Sequence, residues 1–296
     1  MLKNIICAID FSDASVSVIN RAKFIHQQSN TQLLLVYCME NHQIQFLSFI
    51  FKSSENTADT PANELSAHLN ALKNQLLPLE KEVTTRITLG IVAEVMPREA
   101  EAFNANLIII GTSKKSSLQR TFLGSNAIKI LRHSPCSVLV TKTNATGTYQ
   151  RIIIGVDLSS DIQPTLDFIS ALAPEAEVIL AHFYQIPFEG KLTHHADLND
   201  PYLAAYRQEL RDEATQKLNI IANKSSWGLL KSTNIVTQGD PAEMLLQLAQ
   251  DHKCDLIVLN KSNKTAIDDF ILGSVTNEVV NLSTRDVLVF NQKHTD

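Results

Sequence analysis

Four short stretches of the chain are apolar at nearly every position: Asn4–Ile9, Leu33–Tyr37, Leu107–Ile110 and Ser137–Val140. Continuous β-branched runs of this length read as strands buried on both faces, the mark of a parallel sheet. Between them the apolar residues fall at helical spacing, over about Ala14–Gln28, Asn63–Leu77 and Val92–Asn104, and again at Ala127, Ile130 and Leu131. Val83–Leu89 reads as one more strand. Five strands alternating with four helices predict an α/β fold, a parallel sheet with helices on both faces.

The pattern then begins again. Arg151–Asp157 restates Lys3–Asp10, and Val178–Ala181 restates Leu33–Val36. Gly90, Ala93-Glu94, Leu107-Ile108, Gly124-Ser125 and Val138–Val140 return 149 residues later as Gly239, Ala242-Glu243, Leu256-Ile257, Gly273-Ser274 and Val287–Val289. A constant offset over such a span is the sign of a duplication. Lys142–Tyr149, rich in Thr, Asn and Gly, reads as the linker, which predicts repeats over 1–142 and 150–296.

Chemistry concentrates between Asn106 and Thr141. The strand Leu107–Ile110 stops at Gly111, a polar loop follows, and Gly124-Ser125-Asn126 stands directly before the next helix, with Ser125 placed to cap it. A glycine at a strand end and a Gly-Ser pair at a helix start gather unpaired N–H groups and a hydroxyl around one hollow, which is suited to an anion. Ordinary turn and capping chemistry accounts for the same residues equally well.

Gly111, Gly124 and Ser125 resemble the nucleotide loop of the universal stress protein family, whose pattern is Gly, two residues, Gly, nine residues, Gly, then Ser or Thr. Lys114 stands where the middle glycine belongs. His133-Ser134-Pro135-Cys136 followed by Val138–Val140 is similar to the family's ending, and the repeat extends the resemblance over nearly the whole chain. It implies two tandem doubly wound parallel five-stranded sheets of order 3-2-1-4-5. It also implies an adenine nucleotide, ATP or a relative, at the switch point where strands one and four end, with Mg2+ only alongside the nucleotide. The implied contacts are Asp10, Val36, Gly111, Lys114, Gly124, Ser125 and Asn126. In the second copy Asp157, Gly273 and Ser274 correspond, but Asn260 and Asn263 replace both loop glycines. The resemblance allows slow ATP hydrolysis without requiring it, and no catalytic set is evident. Members of the family pair through their last strands, which implies an intramolecular pseudo-dimer joining Val138–Val140 to Val287–Val289, or a homodimer of chains.

Composition narrows the reading further. At 44% hydrophobic and 19% charged residues, with a net charge of −5, the chain matches a globular protein with no basic face for nucleic acid. No apolar run is long enough to cross a bilayer and no leader pattern opens the sequence, so a cytoplasmic location is expected. Cys7, Cys38, Cys136 and Cys254 are scattered in or beside predicted strands, as reduced core residues are. The apolar cluster Phe46–Phe51 reads as a packed helix, a lid, a subunit contact or the wall of an apolar-ligand site, and the last leaves open a tandem scaffold whose degenerate loops take partners or an apolar ligand in place of ATP. His194-His195 with Asp197 lacks the placed third ligand a metal needs. Tyr202–Ala222 has the period of an amphipathic core helix.

Overall fold

The computed structural model describes residues 2–10, 12–40, 83–112, 123–142, 147–186, 201–227, 230–261 and 272–292. The predicted helix over Asn63–Leu77, the Phe46–Phe51 cluster, Lys114, the His194-His195 pair and Asn263 lie outside them.

In the first repeat, β1 (Asn4–Ile9), β2 (Gln32–Met39), β3 (Val83–Leu89), β4 (Leu107–Gly111) and β5 (Ser137–Thr141) alternate with α1 (Asp13–Ser29), α2 (Val92–Ala102) and α3 (Ser125–His133). The second contains β6 (Arg151–Gly155), β7 (Glu177–Tyr184), β8 (Lys231–Gln238), β9 (Leu256–Asn260) and β10 (Asp286–Phe290). Its helices are α4 (Gln163–Leu172), α5 (Pro201–Lys224), α6 (Pro241–Asp251) and α7 (Ser274–Leu282).

The strands run β3-β2-β1-β4-β5-β10-β9-β6-β7-β8. Each half therefore has the order 3-2-1-4-5 on its own count. The two five-stranded sheets meet through the strands expected to join them: β5 and β10 pair antiparallel, Val287 with Val140, Leu288 with Leu139 and Val289 with Val138, so the two form one continuous ten-stranded sheet. All the other ladders are parallel. Two apolar edges that would each invite aggregation are consumed against one another.

Side chains sort by the period of two that a strand imposes. Ile5, Cys7, Leu33, Leu35, Leu107, Ile109 and Leu139 pack on one face under α1, α4 and α5. Ile6, Leu34, Val36, Ile108, Ile110, Val138 and Val140 pack on the other under α2, α3, α6 and α7. Both core layers run across the seam, so the repeats share their cores. A repeated device ties the strand entries together. Asn106 Oδ1 accepts the N–H groups of Lys3 (2.8 Å) and Asn4 (3.1 Å), and 149 residues on, Asp255 accepts those of Gln150 (2.8 Å) and Arg151 (3.2 Å).

Candidate functional site

β1 and β4 are neighbours from which the chain winds in opposite directions, so their carboxyl ends part at a switch-point crevice. A cavity of about 450 Å3 opens there. Its apolar walls include Ala8, Ile9, Val92, Ile110, Ala127 and Ile130, and its polar groups are Asp10, Ser15, Glu40, Ser125 and Asn126. The size and the mixture of walls suit a small organic ligand. A wider hollow along α5, lined by Ala205 and the polar residues Gln208, Glu209, Asp212, Glu213 and Gln216, is an open face of a single helix, and we assign no site to it.

Asp10 stands at the end of β1. Its Oδ1 accepts the Ser12 N–H (3.0 Å), the Ser12 hydroxyl and the Ser15 hydroxyl (2.8 Å), while Oδ2 accepts no bond among the described residues. Burial pushes the carboxyl's pKa up, but these hydrogen bonds outweigh it and hold the group below its ordinary value. Asp10 is therefore an ionised acceptor at neutral pH, exposed to solvent, whose Oδ2 is unbonded among the described residues. Cys38, also on the wall, has its thiol pushed up to about 12 by burial, which removes it as a nucleophile.

The two glycines do different work. A Cβ on Gly111 would stand 2.8 Å from Ala14 Cβ and 3.0 Å from the Ala14 carbonyl oxygen, so glycine there lets α1 approach β4. A Cβ on Gly124 would meet nothing within 4 Å, and its φ of −63° is open to any residue. Among the described residues neither packing nor backbone conformation calls for glycine at 124. It is the space in front of it that a side chain would fill.

Gly124, not Ser125, is the N-cap of α3; Ser125 is the first helical residue, and no side chain caps the helix. The expected serine cap is corrected accordingly. The first N–H groups of α3 thus have no intrahelical or side-chain capping partner among the described residues. No acidic residue lies in its first turn, while Arg132 and His133 lie in its last. The positive end of the helix dipole, with no carboxylate in its own first turn, points at the cavity that Asp10 and Glu40 also line.

Of the residues expected at the site, Asp10, Gly111, Gly124, Ser125 and Asn126 come together around the cavity. Val36 does not: it is fully buried in the core, opposite Ala8 in the ladder. Ser15, Val92 and Glu40 line the cavity without having been singled out. They carry no motif, and only the packing of α1, α2 and the β2 end brings them there.

The second repeat is built differently at the same place. Asp157 Oδ1 accepts the N–H (3.0 Å) and hydroxyl (2.8 Å) of Ser159, as its counterpart does with Ser12. Gly273 is the N-cap of α7, with only Thr276 Oγ1 at 4.0 Å from where a Cβ would be. Asn260, in the place of Gly111, accepts the Thr165 hydroxyl at 3.0 Å. The end of β9 is thereby tied to α4.

The sequence model of the universal stress protein family matches residues 1–142 and again 148–291. The chain belongs to this family. A putative universal stress protein of Staphylococcus aureus (strain USA300) is 30% identical over 169 residues, 55% of this chain and 90% of its own length. Among solved structures, a putative universal stress protein from Pseudomonas aeruginosa UCBPP-PA14 superimposes with a TM-score of 0.64 at 20% identity, covering 98% of this chain and 93% of its own. A universal stress protein from Archaeoglobus fulgidus superimposes with 0.62 at 15% identity, covering 98% of each. At these identities the superpositions establish the fold, a tandem universal stress protein architecture over nearly the whole chain.

Proposed function

We propose that this tandem universal stress protein, with repeats at 1–142 and 150–296, binds an adenine nucleotide (ATP, ADP or AMP) in the first-repeat cavity and acts as a ligand-dependent regulator in the cytoplasm. The observation that carries the reading is Gly124. Among the described residues neither packing nor backbone requires this glycine or caps the positive helix end where it stands, and it faces a cavity with ionised Asp10. A phosphate would take the N–H groups of Ser125 and Asn126 at that helix end. Asp10 would accept from ribose hydroxyls, and the apolar walls would hold a base. Lys114 would add a cation beside the phosphates. No group of three His, Cys, Asp or Glu side chains suited to a metal occurs among the described residues, so Mg2+ would come with the nucleotide. We assign no catalytic residue. Slow hydrolysis would be incidental to binding.

The second repeat is better read as a scaffold, because Asn260 is hydrogen-bonded to Thr165 where the first repeat has a bare glycine. Asp157, Gly273 and Ser274 would then serve turns and capping.

Thermal melts with and without nucleotide test both readings. A ligand held at a hundred times its Kd stabilises by about 2.7 kcal/mol, which for a repeat of this size is a midpoint shift of roughly 5 to 10 °C. The wild type should show that shift and Gly124→Asp should lose it, since a carboxylate would occupy the phosphate's place. An unchanged wild-type midpoint in saturating ATP, ADP and AMP would refute the nucleotide reading and leave the scaffold.

A further inference from the structure

The seam between the repeats looks two-fold symmetric in its backbone but not in its chemistry. Leu139 faces Leu288 at its centre. The N–H of Lys142 donates to Asp286 Oδ1 at 2.8 Å, and 149 residues later the N–H of Asn291 donates to Ser137 Oγ at 3.1 Å. These are equivalent bonds, made to a carboxylate at one end and to a hydroxyl at the other. The flanking helices differ in the same way. Buried Ile19, Ala22 and Ile25 of α1 correspond to Leu166, Ile169 and Leu172 of α4, a register that sets Arg21 against Phe168.

At the first end, Asp286 is 0% and Arg21 5% exposed. Arg21 Nη2 lies 3.0 Å and Nε 3.1 Å from Asp286 Oδ2, and the Tyr149 hydroxyl donates to the same oxygen at 2.8 Å. Arg21 Nη1 donates to the Gly147 carbonyl at 2.8 Å, and its guanidinium lies 3.8 Å from the centre of the Tyr149 ring. Every charge is buried, but every charge is answered. At the other end the place of Arg21 is taken by Phe168, which packs on Phe290 with ring centres 5.4 Å apart, and the Lys261 ammonium there makes an exposed contact with the Arg132 carbonyl at 2.8 Å.

We infer that the seam is a recognition surface coded for the unlike repeat: the first repeat's β5–α1 face fits the second repeat's β10–α4 face, and neither fits a copy of itself. Pairing two first repeats by the same geometry would set two buried Arg21 guanidiniums opposite Ser137, with no carboxylate. Pairing two second repeats would set two Asp286 carboxylates opposite Phe168. Asp286 would keep Tyr149 and a backbone donor but lose its cation. An uncompensated buried charge costs far more than a matched pair contributes, so the penalty falls on like pairs alone, and the discrimination comes from what the wrong partner cannot answer. The charge code therefore directs the two repeats of one chain toward each other. Between chains it permits only reciprocal exchange of unlike repeats.

The test starts from the intact folded chain, with a specific protease sequence inserted between Lys142 and Gly147 and cut after purification. Light and isotopically heavy samples are mixed, carried through urea and back, and read by native mass spectrometry. The expected result is light–heavy exchange in which unlike pairs dominate and like pairs fall at least tenfold below their statistical share of one half. The same protocol on Arg21→Met/Asp286→Leu, with Arg21→Met/Asp286→Asn as a milder second variant, should bring like pairs up to within about twofold of that share. Like pairs at the statistical level in the wild type would overturn the inference. So would unchanged exclusive pairing in the variants, or wild-type halves that fail to reassemble when both are present.

Discussion

The contrast between Gly111 and Gly124 gives a prediction that isolates packing from ligand binding. In Gly111→Ala the new methyl carbon would lie 2.8 Å from Ala14 Cβ and 3.0 Å from the Ala14 carbonyl oxygen. The second contact is with backbone, which cannot rotate aside, so α1 must lift from β4. Overpacking of this kind costs about 1 to 3 kcal/mol, partly offset by the roughly 0.4 to 1 kcal/mol gained when an unfolded chain loses a glycine. In Gly124→Ala the methyl meets nothing within 4 Å and φ is already −63°. The unfolded-state gain there roughly cancels the poorer N-cap, and stability should stay within about 0.5 kcal/mol of wild type. Differential scanning calorimetry without ligand should therefore lower the Gly111→Ala midpoint by several degrees, at about 2 to 4 °C per kcal/mol, and leave Gly124→Ala within about 2 °C. With saturating ATP the order changes: Gly124→Ala should lose most of the ligand-induced shift despite its intact stability. Equal ligand-free midpoints for both variants would refute the assignment of Gly111 to helix packing. A full ATP shift in Gly124→Ala would refute the assignment of Gly124 to the phosphate.

Urea unfolding of Arg21→Met, Asp286→Leu and the double variant should show about 3 to 5 kcal/mol lost in each single change. The double change should lose much less than their sum, because no buried charge is then left alone; additive losses would dissolve the coupling read from the 3.0 Å contact. Lys142 supplies a pH signature. Its ammonium donates to the Val280 carbonyl at 2.7 Å, and burial, only partly countered by Asp286, brings its pKa from 10.5 down to about 8. Between those values the unfolded chain binds more protons than the folded one, so this group's contribution rises with pH. Measured against Lys142→Met, wild-type stability should improve by about 2 to 3 kcal/mol from pH 8 to pH 10, and a difference flat across that window would contradict the burial.

What the amino-acid sequence determined by itself was the set of elements whose signal is local. Strands such as Leu107–Ile110 and Val287–Val289 are covered on both faces, so every residue must be apolar, and the run is visible without knowing its neighbours. The duplication was visible for the same reason: equivalent cores demand equivalent residues at a constant offset. That Gly124, Ser125 and Asn126 open a helix was legible because helix starts have their own residue preferences, whereas Asp10 was placed beside them only by the family resemblance. β8 was not, because Lys231–Gln238 lies at a sheet edge with mostly polar and partly exposed side chains and carries no apolar run.

Only the tertiary structure decided what those residues do. Gly111 and Gly124 both fit the loop pattern along the chain, and they differ because one faces Ala14 and the other faces no described residue within 4 Å. The resemblance puts Val36 among the contacts, yet the ladder buries it opposite Ala8, while Ser15 and Glu40 reach the cavity without any motif. The two repeats became one sheet through β5 and β10, and Arg21 met Asp286 across 265 residues of sequence. Neither residue's charge carries any mark of its partner. Local pattern encodes which face a residue turns inward, but an ion pair is a property of two positions, and the fold alone brings them within 3.0 Å.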